Sequence, residues 1–168
     1  SYDSLNRMVL KDRPGSEPDV SYSYDLLGHM TGASQSGNIL TFGYDALGRN
    51  ISQGGPLGTV QMKYDLAGNR TDLIWPDGFL VAFNYNADGS MNGIYDGATI
   101  TAAYAYDDLG RRVALNRVSN APTSYGYDSA SRLISMTHNL AGSANDLTLG
   151  YSYNSAGQLT QKTQSNNL

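Results

Sequence analysis

Apolar and polar residues alternate with a period of two over short stretches, and the same stretch recurs along the whole chain. Stepping by twos gives Val20-Tyr22-Tyr24, Leu40-Phe42-Tyr44, Val60-Met62-Tyr64 and Val81-Phe83-Tyr85. Ala102-Tyr104-Tyr106, Thr123-Tyr125-Tyr127 and Leu149-Tyr151-Tyr153 continue the series. The intervening positions, such as Ser23, Gly43, Lys63, Ala105 and Gly126, are small or polar. A period of two with aromatic and β-branched residues on one face predicts half-buried strands. No ten-residue stretch shows a 3.6-residue apolar period, so helix is predicted to be nearly absent.

Each of these strands ends in the same phrase, Tyr-Asp-x-x-Gly-Arg. Eight copies start at 2, 24, 44, 64, 85, 106, 127 and 153, and twelve of the thirteen tyrosines stand at the motif position or two residues before it. The motif predicts a turn. Asp3, Asp25, Asp45, Asp65, Asp107 and Asp128, with Asn86 and Asn154 as substitutes, can accept hydrogen bonds from the backbone just ahead. Gly28, Gly48, Gly68, Gly89, Gly110 and Gly157 close the turn where a left-handed residue is needed, with Asn6 and the less tolerant Ser131 standing in. A second strand follows, as in Arg49-Asn50-Ile51-Ser52.

A less regular second turn completes each unit, at Ser36-Gly37-Asn38, Gly54-Gly55-Pro56, Pro76-Asp77-Gly78, Asp96-Gly97 and Asn120-Ala121-Pro122. A longer surface loop is predicted around Ala141–Asp146. The fold class is therefore all-β: tandem β-hairpin repeats of about 21 residues forming one continuous antiparallel sheet. Residues 1–168 form a single repeat array, expected to be a fragment of a longer one because it starts inside a turn and ends in a strand.

The repeat tyrosines Tyr2, Tyr24, Tyr44, Tyr64, Tyr85, Tyr106, Tyr127 and Tyr153 supply a large ring and a hydroxyl that can reach a partner. The apolar residue within the turn, such as Leu5, Leu27, Leu47 or Leu109, is expected to fold over the same face. Arg7, Arg49, Arg111 and Arg132, with Arg70 shifted by one, are expected to bridge to an Asp of their own or an adjacent turn. Exposed pairs of that kind contribute only ~0–1 kcal/mol each, which makes the aromatic stripe the larger stabiliser.

Composition narrows the function classes. With 11 Lys and Arg against 15 Asp and Glu and no basic cluster, nucleic-acid binding is not expected. No apolar run is long enough to span a bilayer. Cys is absent, which removes disulfides and thiolate sites. Asn84–Gly89 resembles the start of a calcium loop, but Tyr95 stands where the twelfth-position Glu belongs. His29 and His138 read as surface residues, and the recurring Asp residues as turn residues rather than glycosidase carboxylates. No catalytic residue, cofactor or metal is expected, and the chain is not read as an enzyme.

The phrases Tyr44-Asp45-Ala46-Leu47-Gly48-Arg49 and Tyr106-Asp107-Asp108-Leu109-Gly110-Arg111 resemble the YD-repeat or Rhs-repeat family, which includes bacterial polymorphic toxins, insecticidal toxin complex C components and teneurins. The resemblance covers essentially the whole chain. It implies a spiralling sheet that builds a hollow shell, enclosing a C-terminal toxin domain in the bacterial members, and a secreted or cell-surface location. The chain departs from the full family pattern in having too few repeats to close a shell, no Asp-Pro-x-Gly-Leu signature and no toxin domain.

Two functions follow as expectations. One is a structural shell segment whose partners are other YD repeats and an enclosed toxin polypeptide. The alternative is a carbohydrate-binding module using exposed tyrosines, or the lone Trp75, against glycans. A buried tyrosine stripe favours the wall, and a solvent-facing one favours sugar.

Overall fold

The computed structural model describes residues 1–118, 121–140 and 146–166. Among them every regular element is a strand. Fifteen strands lie in one sheet in which sequence order is sheet order. Antiparallel neighbours in strict succession are what tandem hairpins produce. The repeat period thus becomes the sheet topology.

Contacts divide the chain into two compact units, Ser1–Val81 and Ala82–Leu168. The first holds β1 (Leu10–Lys11), β2 (Val20–Tyr24), β3 (Met30–Gln35), β4 (Asn38–Tyr44), β5 (Asn50–Gly55), β6 (Gly58–Tyr64) and β7 (Arg70–Ile74). β8 (Leu80–Tyr85) carries the boundary. The second unit continues with β9 (Met91–Asp96), β10 (Thr99–Tyr106), β11 (Arg112–Arg117) and β12 (Thr123–Tyr127). It ends with β13 (Leu133–His138), β14 (Leu147–Tyr153) and β15 (Leu159–Asn166). The first motif copy forms only an isolated bridge, Tyr2 to Met8. The loop expected around Ala141–Asp146 lies outside the described residues except for Asp146, as does Asn120 of the fifth second turn.

One regular feature was not read from the alternation. At six of the motif hairpins the register slips by one residue: Gly43 faces Ser52 while Tyr44 faces Asn50, which leaves Ile51 unpaired. Thr31, Thr71, Val113, Ile134 and Thr160 are skipped in the same way. All six are β-branched. A bulge at this point adds local twist to the strand pair and lets a three-residue turn close without breaking the ladder.

In the first unit Tyr22, Tyr24, Phe42, Tyr44, Met62 and Tyr64 share one face, as the alternation requires. The opposite face is packed by complementary small residues. A Cβ at Gly32 would come within 2.7 Å of the Ser23 hydroxyl, and one at Gly43 would collide with Ser52. Ser21 and Ser34 bond to each other across the strands at 2.7 Å. The apolar core is thin. Among the described residues Met62, Leu115 and Leu149 are the buried hydrophobic ones, and Thr123 is fully buried. A single sheet with so little covered apolar surface needs stabilisation beyond area burial.

Candidate functional site

The motif turn at Asp45 shows how the repeat is closed. The Gly48 N–H donates to the Asp45 carbonyl at 3.0 Å, and the Asp45 N–H donates to the Arg49 carbonyl at 3.0 Å. Gly48 has φ of 75°, a left-handed conformation that costs a glycine nothing. One carboxylate oxygen, Oδ1, accepts the N–H groups of Leu47 (2.9 Å) and Arg49 (3.0 Å). The other, Oδ2, takes the Arg49 Nε–H at 2.7 Å. Partial burial pulls the Asp45 carboxyl upward, but these hydrogen bonds and the guanidinium charge outweigh it and hold it below its ordinary value of 3.8. Asp3 with Arg7, Asp107 with Arg111 and Asp128 with Arg132 repeat the arrangement.

The same arginines reach forward to the next repeat. Arg49 Nη1 donates to the Asp65 carbonyl at 3.0 Å. Its guanidinium lies 4.8 Å from the centroid of the Tyr64 ring. The Tyr64 hydroxyl in turn donates to the carbonyl of Asn50, one residue beyond the arginine, at 2.9 Å. Arginine, tyrosine and backbone thus form a closed joint between two hairpins. Arg7 with Tyr24, Arg111 with Tyr127 and Arg132 with Tyr153 make the same joint.

Where the arginine is missing, part of the joint survives. His29 bonds Asp25 through Nδ1 at 2.8 Å and stacks on Tyr44 at 4.7 Å, while the Tyr44 hydroxyl donates to the Met30 carbonyl at 2.9 Å. Asn69 replaces the arginine at Asp65, Ser90 at Asn86 and Gln158 at Asn154, each bonding its turn residue. In the fifth repeat Asp88 accepts the Ser90 hydroxyl at 2.6 Å, and the next tyrosine, Tyr106, still donates to the Met91 carbonyl at 2.8 Å.

Several expectations need correction. Leu5, Leu27, Leu47 and Leu109 do not fold over the tyrosine face: they are at least two-thirds exposed, because the turn points them outward. Arginine is not a loose surface ion pair. At Arg7, Arg49, Arg111 and Arg132 it is part-buried and bonded on both sides of the repeat boundary. His29 and His138 are half-buried and partnered rather than free surface residues; His138 Nδ1 lies 3.0 Å from the hydroxyl of fully buried Thr123. Ser131 does take the left-handed conformation, with φ of 61°, and its hydroxyl accepts a bond from Arg111 at 3.2 Å. The motif tyrosines other than Tyr2 are half-buried, so they present no open aromatic row.

The remaining features do not converge on chemistry. Among the described residues, no group of three or more His, Cys, Asp or Glu could hold a metal ion. A recess of about 740 Å³ lies among Leu57, Val60, Trp75, Pro76 and Phe79, beside the second turn. No helix among the described residues is long and apolar enough to cross a membrane.

The sheet and its joints define a class of protein: a tandem β-hairpin array in which the repeat tyrosines Tyr24, Tyr44, Tyr64, Tyr106, Tyr127 and Tyr153 are each bound to the repeat before. The chain belongs to the YD-repeat, or Rhs-repeat, family. Teneurin-1 of Gallus gallus is 30% identical over 177 residues, covering 94% of this chain. Teneurin-1 of Mus musculus is 30% identical over 156 residues, covering 82%. The chain spans 6% of the length of these relatives. Among solved structures, TcdB2-TccC3 matches 99% of this chain and 11% of its own, with a TM-score of 0.78 at 16% identity. The Photorhabdus luminescens Tc holotoxin pore matches 89% of this chain and 9% of its own, with a TM-score of 0.75 at 18% identity. At such identities the structural matches speak to the fold alone. No protein-family model matches the chain.

Proposed function

We propose that the chain is a stretch of wall in a β-sheet shell that helps to enclose a toxin polypeptide, in a protein that is secreted or displayed at a cell surface. The observation that supports this reading most is the joint itself. The residues repeated most faithfully along the chain spend their hydrogen-bonding groups on their own turn and on the neighbouring repeat, as Arg49 does with Asp45 and Asp65, and Tyr64 with Asn50. A catalytic or ligand-binding motif would leave those groups directed outward. The likeness to toxin-complex structures supplies the toxin class, and the chain is read as non-enzymatic.

The test is protease protection in the full-length protein that contains this segment. The wall reading predicts a polypeptide downstream of the repeats that resists protease in the intact protein. It should become cleavable in an Arg49→Ala/Arg111→Ala variant. Equal, rapid cleavage of that polypeptide in both proteins would contradict enclosure. The carbohydrate reading has one supporting observation, the recess with partly exposed Trp75 and Phe79. Saturable binding on a glycan array, lost in Trp75→Ala or in Tyr104→Ala/Tyr125→Ala, would favour it over the wall.

A further inference from the structure

Arg112 stands apart from the joint arginines. It follows Arg111, which performs the motif role with Asp107, Asp128 and Tyr127. The Arg112 backbone carbonyl accepts the Tyr127 hydroxyl at 2.9 Å, a contact any residue could make. At the equivalent place in the other repeats stand Met8, Met30, Met91, Leu133 and Leu159, with Asn50 and Arg70 as the two polar cases, so an apolar side chain can meet the packing need there. Arg112 is exposed, and its guanidinium lies 4.9 Å from the Tyr125 centroid and 5.8 Å from that of Tyr104. Among the described residues it has no carboxylate partner and donates no side-chain hydrogen bond.

The strands around it carry no carboxylate: β10 to β13 contain Arg112 and Arg117 and no Asp or Glu. Of the three Asp in the turns that join them, Asp107 and Asp128 are paired with Arg111 and Arg132, and Asp108 is the third. The register puts Tyr104 opposite Leu115, Leu115 opposite Thr123 and Thr123 opposite His138, all on one face. Arg117 lies on that face too, donating to the Thr123 hydroxyl at 3.3 Å. Two rings hold the Arg112 plane in place while its N–H fork stays available. A pre-set fork suits the two oxygens of a carboxylate. The faces of Tyr104 and Tyr125 that meet the guanidinium are not open to stack a sugar ring, which favours a peptide carboxylate over an acidic saccharide.

We propose that Arg112, clamped between Tyr104 and Tyr125, is a docking point for an Asp or Glu side chain of an acidic polypeptide segment. The proposal rests on local geometry and charge and is independent of the wall reading. Titrating the chain with an octaglutamate peptide, with octaglutamine as control, while following the arginine Nε–H resonances tests it. The Arg112 signal should shift saturably with octaglutamate alone. Arg112→Met should weaken binding about tenfold, the scale of one charge-assisted bond, with the melting temperature unchanged. Wild-type-like affinity in Arg112→Met would overturn the proposal. So would a marked loss of stability in that variant, which would make Arg112 a structural brace. Preferential binding of a heparin-derived oligosaccharide, with no response to octaglutamate, would overturn it as well.

Discussion

At the residue scale, tyrosine and aspartate divide the work of the joint. Tyr64 contributes one neutral hydrogen bond to Asn50, so Tyr64→Phe should cost about 1 kcal/mol in denaturant unfolding. Gly48→Ala should cost about 1–2 kcal/mol, since an alanine at φ of 75° is strained and its Cβ would sit 3.0 Å from His29 Nε2. The carboxyls of Asp3, Asp25, Asp45, Asp65, Asp107 and Asp128 are all held below 3.8 in the fold. A depressed folded value means the stabilisation is complete above the ordinary value and is lost as pH falls through the folded values. Melting temperature measured against pH should therefore hold down to about pH 5 and drop below about pH 4. A loss concentrated between pH 7 and 5 would show that other groups govern it. The turn roles of Asp and Gly were legible because they are local conformational preferences. The tyrosine partner was not, because it belongs to the preceding repeat.

At the scale of elements, strands and hairpins followed from the two-residue alternation, and the regular bulge did not. A strict period of two has no place for the extra residue at Ile51, although its β-branched counterparts at Thr31, Thr71, Val113, Ile134 and Thr160 are visible once the bulge is known. The outward turn of Leu27 and Leu47 was missed for a related reason: apolar character alone does not say which way a turn residue points. Met62 is among the few buried apolar side chains, so Met62→Ala should cost about 2–4 kcal/mol in denaturant unfolding. A cost below about 1 kcal/mol would show that the thin core contributes little and that ladder bonds and joints carry β6.

At the scale of the whole molecule, sheet order equal to sequence order makes stability a matter of neighbours. The isolated chain also presents the outer edge of β15, eight residues without a further strand partner among those described, so it should self-associate in sedimentation experiments. The central claim is that the repeated Tyr-Asp phrase is a joint between consecutive hairpins. Native-state hydrogen exchange on Arg49→Ala tests it most directly, since Arg49 links the Asp45 turn to Asp65 and Tyr64. Faster exchange should be confined to β4 through β7 and their turns, with β12 to β15 unchanged. A uniform acceleration along the chain, or no change at the Asp45 and Asp65 turns, would contradict the account.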